Sequence, residues 1–168
     1  MFRACTTVGA AGKRMKFFAD CMLGTLAKWL IILGHDVRYQ SKIEDGALVA
    51  RAARERRTIL TRDRRLVMRR AARDPILIRS QDLERQIRQV LDDRRLAIRT
   101  DCLFRRCVRC NRPTRTVTRE TVRDRVPPYV FRTQRRFARC PSCSRIYWRA
   151  THVTSMLERL RKQSARRR

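Results

Sequence analysis

Short apolar runs alternate with amphipathic segments between Lys16 and Leu91. The strand-like runs are KFFAD, VRY, TILT and ILI, and each is followed by a helical segment: MLGTLAKWLIILG, DGALVARAARE, RRLVMRRAA and DLERQIRQVL. Parallel strands need a crossover connection, which a helix usually supplies. Four successive strand–helix pairs therefore predict an α/β fold with a parallel sheet and helices on its faces.

The first helical segment carries its apolar residues at helical spacing. We interpret this stripe as core, made of Met22, Leu23, Leu26, Trp29, Leu30 and Leu33. Gly34 follows as a natural C-terminal stop. The Asp74-Pro75 step is expected to end the third helix, because the residue before a proline is biased out of the helical region.

The pattern predicts several units along the chain. We assign residues 15–95 to the α/β domain, residues 100–153 to a cysteine-rich module, and residues 154–168 to a short helix with a basic tail. Residues 1–14 make a poor secretory signal and are predicted to be a disordered leader. With no long apolar span, we expect a cytoplasmic protein without a membrane partner.

Two cysteine pairs have the spacing of metal ligands. Cys107 and Cys110 form the first pair, and Cys140 and Cys143 form the second. Each pair can make a tight knuckle that directs two thiolates at one tetrahedral ion, so we predict a zinc ribbon. Four thiolates leave no open position for water, which makes the zinc structural. Redox activity is the rival, but a thioredoxin-like motif needs one pair at the start of a helix.

The other cysteines give no metal spacing. We interpret them as buried or incidental thiols: Cys5, Cys21 and Cys102. The odd total of seven fits a reducing compartment better than a disulfide framework.

The charge of the chain is strongly one-sided. Forty-three Lys and Arg residues face 15 Asp and Glu, for a formal net charge of +28. Such a surface repels itself unless a polyanion screens it, so nucleic acid is the expected partner. Genome base composition is the alternative source of the arginine excess, but composition alone would allow a balanced acidic count.

Three carboxylates fall at one edge of the predicted sheet. Asp20 follows the first strand, Asp45 opens the helix after the second, and Asp63 follows the third. The carboxyl edge is where open α/β sheets bind ligands. Oxygen ligands suit Mg²⁺ or Mn²⁺, which can lower the pKa of water and stabilise charge on a phosphodiester. The alternative is that each aspartate is a helix N-cap, and Ser41-x-x-Glu44 resembles a capping box.

The motifs FFADCMLGTLAKWLIILGHD, EDGALVARA, ILTRDRRL, RCVRCN and FARCPSCSRIYWRATH occur in that order. Together they resemble the PIN-like ribonuclease family known as the Mut-seven C-terminal RNase domain, which joins a PIN-type fold to a zinc ribbon. The resemblance implies a metal-dependent RNase with Asp20, Asp45 and Asp63 as its acidic site. The family's ribbon has glycine after its last cysteine, whereas this chain has Ser144, which is strained if the turn is left-handed.

Two hypotheses follow. The first is a ribonuclease that uses Mg²⁺ or Mn²⁺, with Arg62, Arg64 and Arg65 on the RNA backbone and a ribbon that binds RNA. Tyr147 and Trp148 would stack on bases or pack against the ribbon. The second is a non-catalytic RNA-binding or ribosome-associated adaptor on the same fold, which would bind RNA without a divalent ion.

Overall fold

A four-stranded parallel sheet lies at the centre of the α/β domain. The computed structural model describes residues 15–72 and 74–165. The strands have the order β2-β1-β3-β4 and are β1 (Lys16–Ala19), β2 (Asp36–Tyr39), β3 (Thr58–Thr61) and β4 (Ile76–Leu77). In the register of the sheet, Phe18 of β1 lies between Arg38 of β2 and Ile59 of β3. The predicted parallel α/β fold is confirmed.

Helices cover both faces of this sheet. They are α1 (Gly24–Ile32), α2 (Asp45–Glu55), α3 (Arg64–Met68) and α4 (Leu83–Asp93). Because side chains alternate along a strand, Phe17 joins the core under α1 and α4, while Phe18 joins the core under α2 and α3. Among the described residues, no helix combines the length and apolar composition needed to cross a bilayer.

Two local predictions about the helices are wrong. Met22 is 59% exposed, because it lies in a 3-10 turn, Cys21–Leu23, that precedes α1 and turns it away from the core. The third helix ends at Met68, where the next residue is extended, and not at the Asp74-Pro75 step. The predicted stop at Gly34 is confirmed, since its φ is +98° and an added Cβ would lie 2.6 Å from a backbone oxygen of Cys102.

The cysteine-rich module contains a small antiparallel sheet. Its order is β5-β6-β7, and the strands are β5 (Arg115–Val117), β6 (Phe137–Arg139) and β7 (Ile146–Tyr147). Between β5 and β6 the chain forms a 3-10 helix, Glu120–Arg125, and the short helix α5 (Pro128–Thr133). The segment between the two cysteine pairs therefore forms strands only near its two ends. Val122, Val126 and Phe137 give the module its own small core.

The last helix belongs to the first core. Helix α6 (Thr151–Ala165) is longer than the short helix expected within residues 154–168. Val153, Leu157 and Leu160 are fully buried against α1 and α4. The chain therefore returns from the ribbon to the α/β domain, and the predicted basic tail is helical as far as residue 165. The division at 15–95 and 100–153 stays a prediction, and the predicted leader, residues 1–14, lies outside the described residues.

The segment between α4 and the ribbon, which we call the linker, contains Cys102 and contacts the end of α1 through it. Cys102 is fully buried, its backbone approaches Gly34, and its sulfur is disulfide-bonded. The burial expected as one alternative for Cys102 is therefore confirmed, but the disulfide contradicts its interpretation as a thiol. Cys21, by contrast, is a free and exposed thiol, as expected.

Candidate functional site

Asp20 lies at the carboxyl end of the central strand β1. Its side chain is held on both oxygens: Oδ1 accepts a hydrogen bond from the Cys21 backbone N–H at 2.6 Å, and Oδ2 accepts one from the Thr61 hydroxyl at 2.6 Å. The residue is 6% exposed. Both bonds satisfy a carboxylate without supplying a positive charge. Asp20 is thus a rigid, buried anion at the ligand-binding edge of the sheet.

Thr61 connects Asp20 to the second carboxylate. This threonine ends the neighbouring strand β3 and is fully buried. Its hydroxyl oxygen also accepts a hydrogen bond from the Asp63 backbone N–H at 3.0 Å, and Asp63 Oδ1 in turn accepts one from the Arg65 N–H at 2.7 Å. Asp63 therefore caps α3, as the capping alternative predicted, while standing beside Asp20. Sequence reasoning missed Thr61, although its place two residues before Asp63 is visible in the TRD motif.

Asp45 differs from the other two aspartates. It is the first residue of α2 and not its cap; Glu44 holds the N-cap position without a side-chain cap bond. The capping-box interpretation of Ser41 and Glu44 is therefore wrong. The Asp45 side chain is 44% exposed, and its Oδ2 lies 3.4 Å from the guanidinium of Arg69. Asp45 is thus a partly exposed carboxylate at the start of α2, paired with an arginine.

Asp20 and Asp63 are acidic residues in a strongly basic chain. About half of the 15 acidic side chains pair with arginine in the described residues, as Asp36 and Glu55 do with Arg57. Within residues 15–72 and 74–165, however, neither Asp20 nor Asp63 has an ion pair. The charge of Asp20 is thus buried with hydrogen bonds but without a cation. A buried charge of this kind is stabilised by pairing or by a metal ion.

Arg62, Arg64 and Arg65 flank Asp63 as predicted. Arg62 is half-buried, and Arg64 and Arg65 are exposed at the start of α3. In the described part of the chain none of the three is engaged in an ion pair. Their guanidinium groups therefore remain available to phosphate oxygens close to the carboxylates.

The four predicted metal ligands converge at one point. The sulfur atoms of Cys107, Cys110, Cys140 and Cys143 all lie within 4.8 Å of one another, and those of Cys107 and Cys143 are 3.5 Å apart. A tetrahedron with zinc–sulfur bonds of about 2.3 Å has edges of about 3.8 Å, so the four sulfurs can hold a structural metal such as zinc. Across residues 15–72 and 74–165, no other group of three or more acidic, histidine or cysteine side chains is this compact, and the three aspartates do not form one.

The two knuckles have matching backbone geometry. The backbone N–H of Asn111 bonds the carbonyl of Cys107 at 2.7 Å, and that of Ser144 bonds the carbonyl of Cys140 at 3.0 Å. Both turns end in the left-handed region, with φ of +54° at Asn111 and +57° at Ser144. Asparagine tolerates this conformation, but serine adopts it at a cost that glycine avoids. The strain expected at Ser144 is therefore present.

Hydrogen bonds lower the pKa of Cys107, the first cysteine of the four. Burial alone would raise the pKa of Cys107, but the Tyr147 hydroxyl, 3.1 Å from its sulfur, and the Cys110 N–H lower it to about 6. The hydrogen bond to Cys143, and burial second, raise the pKa of Cys110 to about 12. Crowded thiols therefore resist ionising together, and a cation at their centre removes that resistance.

Asp36 joins the first knuckle to the sheet. Its carboxylate accepts a hydrogen bond from the Asn111 side chain at 2.7 Å and pairs with Arg106 at 3.1 Å and with Arg57 at 2.8 Å. Burial opposes the ionisation of Asp36, yet the bonds from Arg57 and Asn111 hold its pKa below the usual range. The metal centre is thus anchored to edge strand β2. Sequence reasoning missed this contact, because no local pattern relates these residues.

Comparison with known proteins gives one match. The family model of the Mut7-C RNAse domain matches residues 15–160 of the chain. No curated protein and no solved structure matches the chain. The family match covers both the α/β domain and the ribbon, and it confirms the resemblance carried by the motifs.

Proposed function

Because the chain belongs to the Mut7-C RNase domain family, we propose that it is a divalent-metal-dependent ribonuclease that hydrolyses RNA phosphodiester bonds. Membership of an RNase-domain family implies RNA as the substrate. The finer parts of the proposal are the metal dependence, the roles of Asp20, Asp45 and Asp63, and the contribution of the ribbon to RNA binding.

The observation that carries the proposal is the pair of aspartates that Thr61 joins, through the Asp20 carboxylate and the Asp63 backbone N–H. In the described residues of a chain with net charge +28, neither Asp20 nor Asp63 forms an ion pair with an arginine. Hard oxygen donors of this kind fit Mg²⁺ or Mn²⁺. Asp20 and Asp63 would hold the ion, and Asp45 would approach it by releasing Arg69.

A divalent ion at this edge supplies a more acidic water and stabilises charge that develops on phosphate. The protein's own groups do the remaining work. Thr61 orients the Asp20 carboxylate by donating to it, and it holds the backbone of Asp63 by accepting from its N–H. Arg62, Arg64 and Arg65 bind the RNA backbone next to them. Hydrolysis adds water across one P–O bond and yields one phosphate end and one hydroxyl end.

The structural zinc has a separate role. Four thiolates close its coordination shell, so it holds the ribbon in shape and takes no part in hydrolysis. The arginines of the ribbon then form a fixed basic surface for RNA. The contact of Asn111 and Arg106 with Asp36 keeps that surface in a defined position relative to the carboxylate edge.

The test is cleavage of labelled single-stranded and structured RNA by the zinc-loaded chain. Cleavage is measured with Mg²⁺, with Mn²⁺ and without either ion. An Asp20→Asn/Asp63→Asn double variant is compared with Asp82→Asn, which caps α4 through the Arg85 N–H and has no hydrogen bond with Thr61 in the described residues. Asparagine is as good a cap as aspartate, so each substitution removes a charge and leaves the helix start intact.

We expect cleavage that requires Mg²⁺ or Mn²⁺, is lost in the double variant and is retained in Asp82→Asn. Tight RNA binding without cleavage by the wild type under any of these conditions would instead favour the non-catalytic adaptor. Cleavage that persists in the double variant would contradict the assignment of the site.

A further inference from the structure

A cavity of about 650 Å³ opens between the linker and the ribbon sheet. We call it the ribbon cavity, and its lining comes from residues 100–101, 103–105, 114–116, 136–138 and 147–149. Its volume falls within the range of pockets that bind small ligands, roughly 300–1,000 Å³. None of the three site aspartates lines it. The cavity is therefore a binding space separate from the carboxylate edge.

The charge of the ribbon cavity is positive. Arg115, Arg136 and Arg149 line it and are exposed, and in the part of the chain that the structure describes none of them has an ion pair. The acidic side chain in the lining is Asp101, which is already paired with Arg99 at 2.7 Å. Three uncompensated guanidinium groups around a concave surface favour an anion with several separated charges, such as a phosphodiester chain.

The same cavity presents aromatic faces. The rings of Phe104 and Tyr147 stack with their centroids 5.6 Å apart and an angle of 18° between their planes, and half-buried Trp148 lies beside them in the lining. The Tyr147 hydroxyl bonds both the Cys107 sulfur and the Val108 N–H, so the metal centre fixes this ring. Rigid aromatic rings next to arginines are the combination that binds bases and phosphates of single strands.

We propose that the ribbon cavity is a subsite for unpaired RNA nucleotides, with bases on Phe104, Tyr147 and Trp148 and phosphates on the three arginines. This inference rests on the proposed ribonuclease function for its ligand, and it adds that the substrate is single-stranded. In a duplex both faces of each base are already covered by stacking, so a paired nucleotide cannot enter the cavity.

Two triple variants with equal charge change test the phosphate contacts. Arg115→Gln/Arg136→Gln/Arg149→Gln changes the cavity, and Arg54→Gln/Arg85→Gln/Arg161→Gln changes three exposed helix arginines outside it. Binding of a labelled single-stranded oligoribonucleotide and of a blunt-ended RNA duplex is measured across a salt series, without added Mg²⁺ or Mn²⁺. Both proteins are first checked for zinc content and thermal unfolding.

We expect the cavity triple to lose at least about tenfold in single-strand affinity. The slope of log affinity against log salt should fall by about 0.7 for each arginine that contacts a phosphate, or about 2 for the three. The control triple should keep the wild-type slope. Duplex binding should be weaker than single-strand binding and nearly equal in all three proteins.

Trp148 tests the base contacts. Trp148→Leu should weaken single-strand binding by about tenfold, and Trp148→Phe should recover most of the loss, because a ring of either size can stack. An oligomer with abasic riboses should bind the wild type and Trp148→Leu equally. This last comparison separates stacking from a general effect on the ribbon.

Equal losses in the two triple variants, or duplex binding as tight as single-strand binding, would overturn the cavity proposal. The ribonuclease proposal fails by a different result. If the wild type cleaves no RNA with Mg²⁺ or Mn²⁺, but the cavity triple variant alone loses single-strand affinity, the catalytic assignment is wrong and the subsite stands.

Discussion

Acidification from pH 7 to pH 5 should weaken the fold through His35. This residue is 2% exposed and meets the ring of Phe17 edge-on, with centroids 5.9 Å apart. Its Nδ1 is buried and has no hydrogen-bond partner among residues 15–72 and 74–165. Burial lowers the pKa of His35 from 6.5 to about 4, because the charged imidazolium would lose its hydration in an apolar site.

The sign follows from the two pKa values. Between 6.5 and about 4 the unfolded chain binds a proton at His35 and the folded chain does not, so the free energy of unfolding falls as the pH falls through this window. The contribution of buried, neutral His35 to the free energy of unfolding is fully present above pH 6.5. A shift of about 2.5 pH units corresponds to about 3 kcal/mol in total, of which about 2 kcal/mol is lost between pH 7 and pH 5.

Urea unfolding at pH 7 and pH 5 measures this loss. The wild type is compared with His35→Leu and with His152→Leu, which replaces the chain's other, exposed histidine. All buffers contain zinc, so the metal centre contributes equally to each protein. Asp36, next in the chain, does not interfere, because Arg57 and Asn111 hold its pKa below the usual carboxyl range despite burial.

Between pH 7 and pH 5 the free energy of unfolding of His35→Leu should fall by about 2 kcal/mol less than that of the wild type. His152→Leu should show the same fall as the wild type. The reasoning would be refuted by equal losses of stability in the wild type and in His35→Leu between pH 7 and pH 5. That result would mean that His35 is hydrated or charged in the folded protein.

Three further predictions concern the site and the fold. Thr61→Val should lower cleavage by about 10- to 100-fold with the fold intact, because the Asp20 carboxylate and the Asp63 backbone lose the hydroxyl that holds them. Thr58→Val on the same strand should retain activity, and similar cleavage rates for both variants would contradict the role of Thr61. Gly34→Ala should destabilise the chain by more than about 1 kcal/mol in thermal unfolding, since its φ is +98° and the new Cβ would meet a backbone oxygen. Gly46→Ala, whose new Cβ would lie 3.9 Å from its nearest neighbour, should be neutral or stabilising. A greater loss of stability in Gly46→Ala than in Gly34→Ala would count against the geometry at Gly34. Modification of the thiols should release one zinc per chain, measured with a colorimetric zinc indicator, and should unfold the ribbon. A chain that releases no zinc while staying folded would rule out the structural metal.

Some features of this protein follow from short-range patterns. The period-2 and helical runs determine the strands and helices, because side chains alternate across a strand and recur every turn in a helix. The paired cysteines determine the two knuckles, since a C-x-x-C segment closes its own turn around an ion. Gly34 ends α1 for a similarly local reason, its freedom to adopt a positive φ.

The details of the carboxylate edge needed the tertiary structure. The sequence placed Asp20 and Asp63 at the same edge, but it did not reveal that one hydroxyl would join them. Thr61 is 41 positions from Asp20, and its role depends on β1 and β3 being neighbours. Nor did the sequence decide that Asp63 caps a helix while Asp45 does not, because both precede helical segments of similar composition.

The position of the ribbon was likewise decided by long-range contacts. Asn111 reaches Asp36 across 75 positions of the chain, and α6 returns to complete the first core. The ribbon cavity exists because the linker and the ribbon sheet meet there. Local interactions depend on residues a few positions apart and can be recognised from the sequence alone. Contacts between distant residues arise only when the whole chain has packed, and they determine which polar side chains meet.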